Sequence, residues 1–94
     1  MKKIYIWGAG EIGRRVLIHL DDTWEIMFVD SNAQLSGSYR YGKKIIDVSE
    51  YLDKYSDEFV LIAHLCEDES IKVLKDNNVI NYFNHCDMTG EFKE

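Results

Sequence analysis

Four runs of consecutive apolar residues punctuate the chain: Ile4-Tyr5-Ile6-Trp7, Ile26-Met27-Phe28-Val29, Ile45-Ile46 and Phe59-Val60-Leu61-Ile62-Ala63. An unbroken apolar run marks a strand buried on both faces, as in a parallel sheet. Between the runs, apolar residues recur at helical spacing. Ile12, Val16, Leu17 and Leu20 follow the first run; Val48, Tyr51, Leu52 and Tyr55 follow the third. Asp47, with Glu50 three residues on, reads as the N-cap of that second helix. A third helix opens at Glu67-Asp68-Glu69 and carries Ile71, Val73 and Leu74. Its acids come first and Lys72 and Lys75 later, which suits the helix dipole. Val79-Ile80-Asn81-Tyr82-Phe83 reads as a fifth, weaker strand. Residues 31–44 are polar and turn-rich, with Gly37 and Gly42, and residues 87–94 form a polar tail.

The resulting order is β-α-β-β-α-β-α-β. Alternating strands and helices imply a parallel sheet with right-handed crossovers. The expected fold is therefore α/β, a Rossmann-like three-layer domain of about five parallel strands in the order 3-2-1-4-5. Ile45-Ile46 falls near a sheet edge. That strand, or residues 79–83, offers an edge on which a second copy could pair, so a homodimer is among the expected partnerships.

Size and charge narrow the picture. The chain has 94 residues, 17 acidic and 11 basic, for a net charge of −6. That is one domain, spanning residues 1–94, and too short for a cofactor domain plus a separate catalytic one. The negative balance argues against nucleic acid and anionic membranes, which require clustered Lys and Arg. No apolar run approaches the ~18 residues of a membrane span. The apolar stretch near Met1 is too short for a signal-peptide core. A soluble cytoplasmic protein is expected, with Cys66 and Cys86 as reduced thiols.

The informative constellation is Gly8-x-Gly10-x-x-Gly13 between a strand and a helix, with Asp30 closing the next strand. Gly8 permits a sharp turn, Gly10 lets a phosphate approach the backbone, and Gly13 lets the helix pack closely on the sheet. The helix then presents free N–H groups and its positive end to an anion. Asp30 lies seventeen residues after Gly13, near the usual spacing of about twenty. Its carboxylate suits ribose hydroxyls and would repel a 2′-phosphate, which favours NAD over NADP. Glu11, inside the loop, should repel a phosphate; Arg14 and Arg15 could offset it or be simple helix-face charges.

Three segments together resemble a known group: Trp7-Gly8-Ala9-Gly10-Glu11-Ile12-Gly13-Arg14; Phe28-Val29-Asp30-Ser31-Asn32 with Gly37 and Gly42 behind; and Ile45-Ile46-Asp47-Val48-Ser49-Glu50-Tyr51-Leu52. The chain resembles the small Rossmann-like N-terminal domain of bacterial polysaccharide-biosynthesis enzymes. Such domains precede nucleotide-sugar dehydratase/epimerase or sugar O-acyltransferase domains. The resemblance implies a nucleotide ligand, NAD or a nucleotide-sugar, in the cleft at the strand ends. Gly8, Ala9, Gly10, Glu11, Ile12 and Gly13 would then face the phosphates. Asp30, Ser31 and Asn32 would lie near the ribose or base, and His64 across the cleft. These 94 residues depart from the group's pattern in including no attached catalytic domain and no proline.

Other candidates carry less. His64, Cys66, His85 and Cys86 suit zinc by type but lack a recognised spacing, so no metal site is expected. The carboxylates beside Cys66 disfavour a thiolate. Tyr39 and Lys43 have the Tyr-x-x-x-Lys spacing of short-chain dehydrogenases but fall in a loop rather than on a helix. Tyr39-Arg40-Tyr41 could stack on a base or join an interface. The expected function is a nucleotide-binding module that does not catalyse on its own and acts with or beside a polysaccharide-biosynthesis enzyme. The alternatives are the cofactor half of an NAD-dependent oxidoreductase or epimerase, and a structural or oligomerisation domain with an empty cleft.

Overall fold

The structure, a computed structural model, describes residues 2–20, 24–64 and 67–84. Strand β1 (Lys2–Trp7) leads through the glycine loop to α1 (Glu11–His19), then to β2 (Trp24–Asp30). A 3₁₀ turn at Ala33–Leu35 precedes a hairpin, β3 (Tyr39–Arg40) and β4 (Lys43–Asp47). Next come α2 (Val48–Lys54), β5 (Phe59–Ile62), α3 (Glu67–Asp76) and β6 (Tyr82–Asn84). The six strands form one sheet in the order β3-β4-β2-β1-β5-β6. All neighbours are parallel except β3 and β4. The expected order holds for the five parallel strands. No described helix is long and apolar enough to cross a membrane.

Period-two alternation divides each apolar run between two cores. Ile4 and Ile6 pair in register with Ile26 and Phe28. They pack with Ile45, Leu61 and the α1 residue Val16 in one cluster. Tyr5 and Trp7, one residue out of phase, join Val29, Ile46, Val60 and Ile62 against Tyr51 and Leu74 in the other. Each face of β1 is thus covered, which is why its sequence reads as a continuous apolar run.

The first departure from expectation is the hairpin. Tyr39 pairs with Lys44 and Arg40 with Lys43. Tyr41 (φ 54°) and Gly42 (φ 78°) are both left-handed, as a two-residue hairpin turn demands. The β4 edge expected to be open to another copy is therefore filled. Ile45 donates its N–H to the Ser38 carbonyl (2.8 Å) and accepts from the Gly37 N–H (2.8 Å). The outward face of Ile45-Ile46 cannot serve as the dimer edge proposed from the sequence.

The second departure is at residues 79–83, where only Tyr82 onward is strand. Asn78 is left-handed (φ 62°). Its N–H bonds the Lys75 carbonyl (3.1 Å), and the Val79 N–H bonds Leu74 (2.9 Å). This is a Schellman closure of α3, with Val79 and Leu74 buried together. Glycine adopts this conformation without strain, so Asn78→Gly is expected to stabilise by about 0.5 kcal/mol in urea unfolding. A bulky β-branched residue there should destabilise instead. The expected cap of α2 is present, as the Asp47 carboxylate accepts from the Glu50 N–H at 2.8 Å.

One buried group is poorly served. Tyr5 is 1% exposed, and its hydroxyl has no hydrogen-bond partner among the described residues. Its ring stacks on Tyr55 and tilts against Tyr51, with centroids 5.3 Å apart in each case. By contrast, the Tyr51 hydroxyl donates to the Glu58 carbonyl at 2.8 Å. Burial pushes the Tyr5 phenol up to about 12, and also raises Tyr51. Both phenols stay protonated in the folded state while the unfolded chain ionises near ~10. Their contribution to stability is complete below that pH and is lost as pH rises towards and through the folded values. Tyr5→Phe removes the orphaned hydroxyl, so a gain of about 1 kcal/mol is expected at neutral pH. A weaker alkaline decline should accompany it. Equal or lower stability in thermal unfolding would count against an unpaired hydroxyl.

Candidate functional site

The site grows from the end of β1. Gly8 has φ +120°, and a Cβ there would lie 2.6 Å from the Ala63 carbonyl oxygen. Only glycine lets this turn pass so close to the end of β5. Gly13 sits under the same turn, where a Cβ would collide with the Gly8 carbonyl oxygen. Gly10 differs: nothing lies within 4 Å of its Cβ position. It is the N-cap of α1, and no side chain caps that helix. Among the described residues no side chain accepts from the first-turn N–H groups of α1.

The loop is held from both sides. Asp30 Oδ2 accepts from the Ala9 N–H at 3.1 Å and Oδ1 from the Asn32 N–H at 2.9 Å. Arg40 donates from Nη1 to the Ala9 carbonyl at 2.9 Å. Asp30 is thus a strut between the ends of β1 and β2. Each carboxylate oxygen retains a second acceptor position. Asn32 uses its Oδ1 to accept from the Gln34 N–H at 3.0 Å, an Asx turn that shapes its own loop.

Glu11 carries its own neutralisation. Arg14 grips it bidentately (Nε–Oε1 3.2 Å, Nη2–Oε2 2.7 Å), and Arg15 lies 3.5 Å away. The Arg14 hydrogen bond holds the Glu11 carboxyl below the usual carboxylate range, with the nearby charges adding to it. The two arginines are helix-face partners of Glu11 at i+3 and i+4.

A cleft of about 450 Å³ opens beside the loop, lined by Trp7, Gly8, Asp30, Ser31, His64, Glu69, Ser70 and Val73. It lies at the crevice between β1 and β5. From there α1 covers one face of the sheet, while α2 and α3 cover the other. Open α/β sheets place their ligands at such a switch point. His64 Nε2 and Ser70 Oγ are 2.7 Å apart, and the His64 ring meets Trp7 edge-on at 6.0 Å. Ser70 is 4% exposed.

Of the residues singled out from sequence, Gly8, Asp30, Ser31 and His64 come together in the cleft. Ala9 is fully buried in the core, and Ile12 packs against it. Gly10, Glu11, Gly13 and Asn32 do not line the cleft. Trp7, Glu69, Ser70, Val73 and the loop-holding Arg40 are residues that sequence reasoning missed. Position alone could have flagged Trp7 and Ser70, the last residue of β1 and the first turn of the helix leaving the switch point. Tyr39 and Lys43 lie on the hairpin. Cys66, His85 and Cys86 lie outside the described residues, and no metal-binding group of three or more His, Cys, Asp or Glu occurs among the described residues.

A parallel sheet covered on both faces, with a glycine turn at its switch point, defines a Rossmann-type domain. Over residues 1–82 the chain matches the C2185-like N-terminal domain family, and it belongs to that family. Its fold is similar to the crystal structure of UDP-D-quinovosamine 4-dehydrogenase from Vibrio fischeri. The TM-score is 0.62 at 18% identity, over 88% of this chain and 76% of that one. No curated protein sequence matches the chain.

Proposed function

We propose that this chain is a nucleotide-binding module for NAD or a nucleotide-sugar, acting with an enzyme of polysaccharide or nucleotide-sugar metabolism. The observation that carries this reading is what meets at Gly8. On one side stands the uncapped N-terminus of α1, with Gly10 open to approach. On the other lies the cleft of about 450 Å³, within the usual range of ~300–1,000 Å³ for small-molecule sites. A diphosphate at the loop would meet N–H donors and the positive helix end. Glu11 would oppose it weakly, because Arg14 and Arg15 already balance that charge. The group beyond the diphosphate would enter the cleft past Asp30 and Ser31 towards His64. The sugar-nucleotide chemistry in the name of the Vibrio fischeri enzyme is in keeping with this reading.

The test is a melting-temperature panel with NAD, NADP, UDP-sugars and CDP-sugars near millimolar concentration. A ligand that binds only the folded state must raise the midpoint. Gly10→Leu is the matched control. Its side chain points into open space, so the variant should fold with a loss below about 1 kcal/mol. It should also lose any ligand shift. If no compound moves the parent, or Gly10→Leu responds as the parent does, the reading fails.

A further inference from the structure

We infer that the cleft between Gly8 and α3 receives an uncharged, hydroxyl-bearing ring, the neutral sugar of a sugar nucleotide, and discriminates against an acidic one. This rests on the nucleotide-binding reading and goes further by assigning the two ends of the ligand opposite electrostatic environments.

The lining carries the case. Its charged side chains are Asp30 and Glu69, and it includes no lysine or arginine among the described residues. Arg40 ends on the Ala9 carbonyl, while Arg14 and Arg15 are drawn to Glu11; none of the three lines the cleft. The start of α3 would ordinarily favour an anion. Here Asp68 and Glu69 stand exposed in its first turns and oppose that field. The cleft therefore repels phosphate and carboxylate groups.

What remains suits hydroxyls. Asp30 and Glu69 can only accept, and a sugar hydroxyl donates. Ser31 and the His64–Ser70 pair, joined at 2.7 Å, add groups that donate or accept. The glycine loop next door is the opposite case, with N–H donors and no net side-chain excess of negative charge. A diphosphate-linked sugar would match this polarity end to end.

The experiment compares UDP-glucose with UDP-glucuronate, which differ at one end by a carboxylate, using titration calorimetry on the parent and on Glu69→Gln and Glu69→Lys. UDP-glucose should bind at least about fivefold more tightly than UDP-glucuronate, the factor expected for one solvated like-charge contact at ~4 Å. Glu69→Gln should narrow that ratio, and Glu69→Lys should narrow or invert it. Equal affinities in the parent, or a ratio unchanged in both variants, would overturn the inference and leave nucleotide binding standing. NAD binding without either UDP-sugar would likewise overturn it alone. If no nucleotide binds at all, both readings fall.

Discussion

Gly13→Ala is expected to cost the protein at least about 3 kcal/mol, although Gly13 lies inside α1. Intrinsic propensity points the other way: alanine is favoured over glycine in a helix by roughly 1 kcal/mol. The local geometry outweighs it. A Cβ at Gly13 would collide with the Gly8 carbonyl oxygen and lie 3.1 Å from both the Gly8 carbonyl carbon and Phe28 Cε1. None of these can step aside cheaply. Gly8 is fixed by its N–H to the Val29 carbonyl at 2.7 Å, and Phe28 is fully buried. Overpacking that forces side-chain and backbone shifts typically costs ~1–3 kcal/mol and occasionally more, and the collision here is with main chain. For a domain of this size, about 3 kcal/mol lowers the melting temperature by more than ~12 °C. It also removes a large share of a total near ~5–15 kcal/mol. Gly10→Ala is the internal comparison and should be nearly neutral. Gly13→Ala melting within ~3 °C of the parent would mean that α1 does not pack against the Gly8 turn as described.

That contrast between two glycines of one motif shows what was legible from sequence. The spacing Gly8-x-Gly10-x-x-Gly13 announced a strand, a turn and a helix, and the alternation of Ile4 and Ile6 with Tyr5 and Trp7 announced a strand covered on both faces. These signals are local and periodic, and the five parallel strands follow from them. The hairpin was less legible, because Tyr41 adopts a left-handed conformation that its side chain gives no reason to expect. Gly42 alone reads as any loop glycine. Arg40 was missed for the same reason, since its reach to Ala9 exists only once β3 has folded back. Glu69 and Ser70 enter the cleft through the placement of α3 across the switch point, a long-range consequence of topology. The partnership of Glu11 with Arg14 and Arg15, by contrast, was present in their i+3 and i+4 spacing.

Asp30→Ala should reduce stability by about 2–4 kcal/mol in the absence of any ligand. An acid that served only to read a ribose would leave the free protein untouched when removed. Here the carboxylate accepts two backbone N–H groups, from Ala9 and Asn32. Hydrogen bonds to a charged group contribute about 1.5–3 kcal/mol each, less where solvent reaches them. The Ala9 residue is fully buried, so its N–H would lose its acceptor where water replaces it poorly. Asp30→Asn separates charge from geometry. Its single amide oxygen can serve one of the two donors, while its NH₂ group faces the other, so an intermediate loss of about 1–2 kcal/mol is expected. Urea unfolding of the free protein measures both variants. A loss below ~0.5 kcal/mol for Asp30→Ala would remove the strut role and return Asp30 to recognition alone. With the strut intact, the Ala9 peptide is fixed between Asp30 and Arg40 before any ligand arrives. The loop then need not be ordered on binding, which is where preorganised sites gain affinity. Loss of ligand binding in Asp30→Ala should therefore exceed the loss from Asn32→Ala, whose side chain accepts from the Gln34 N–H and shapes its own turn.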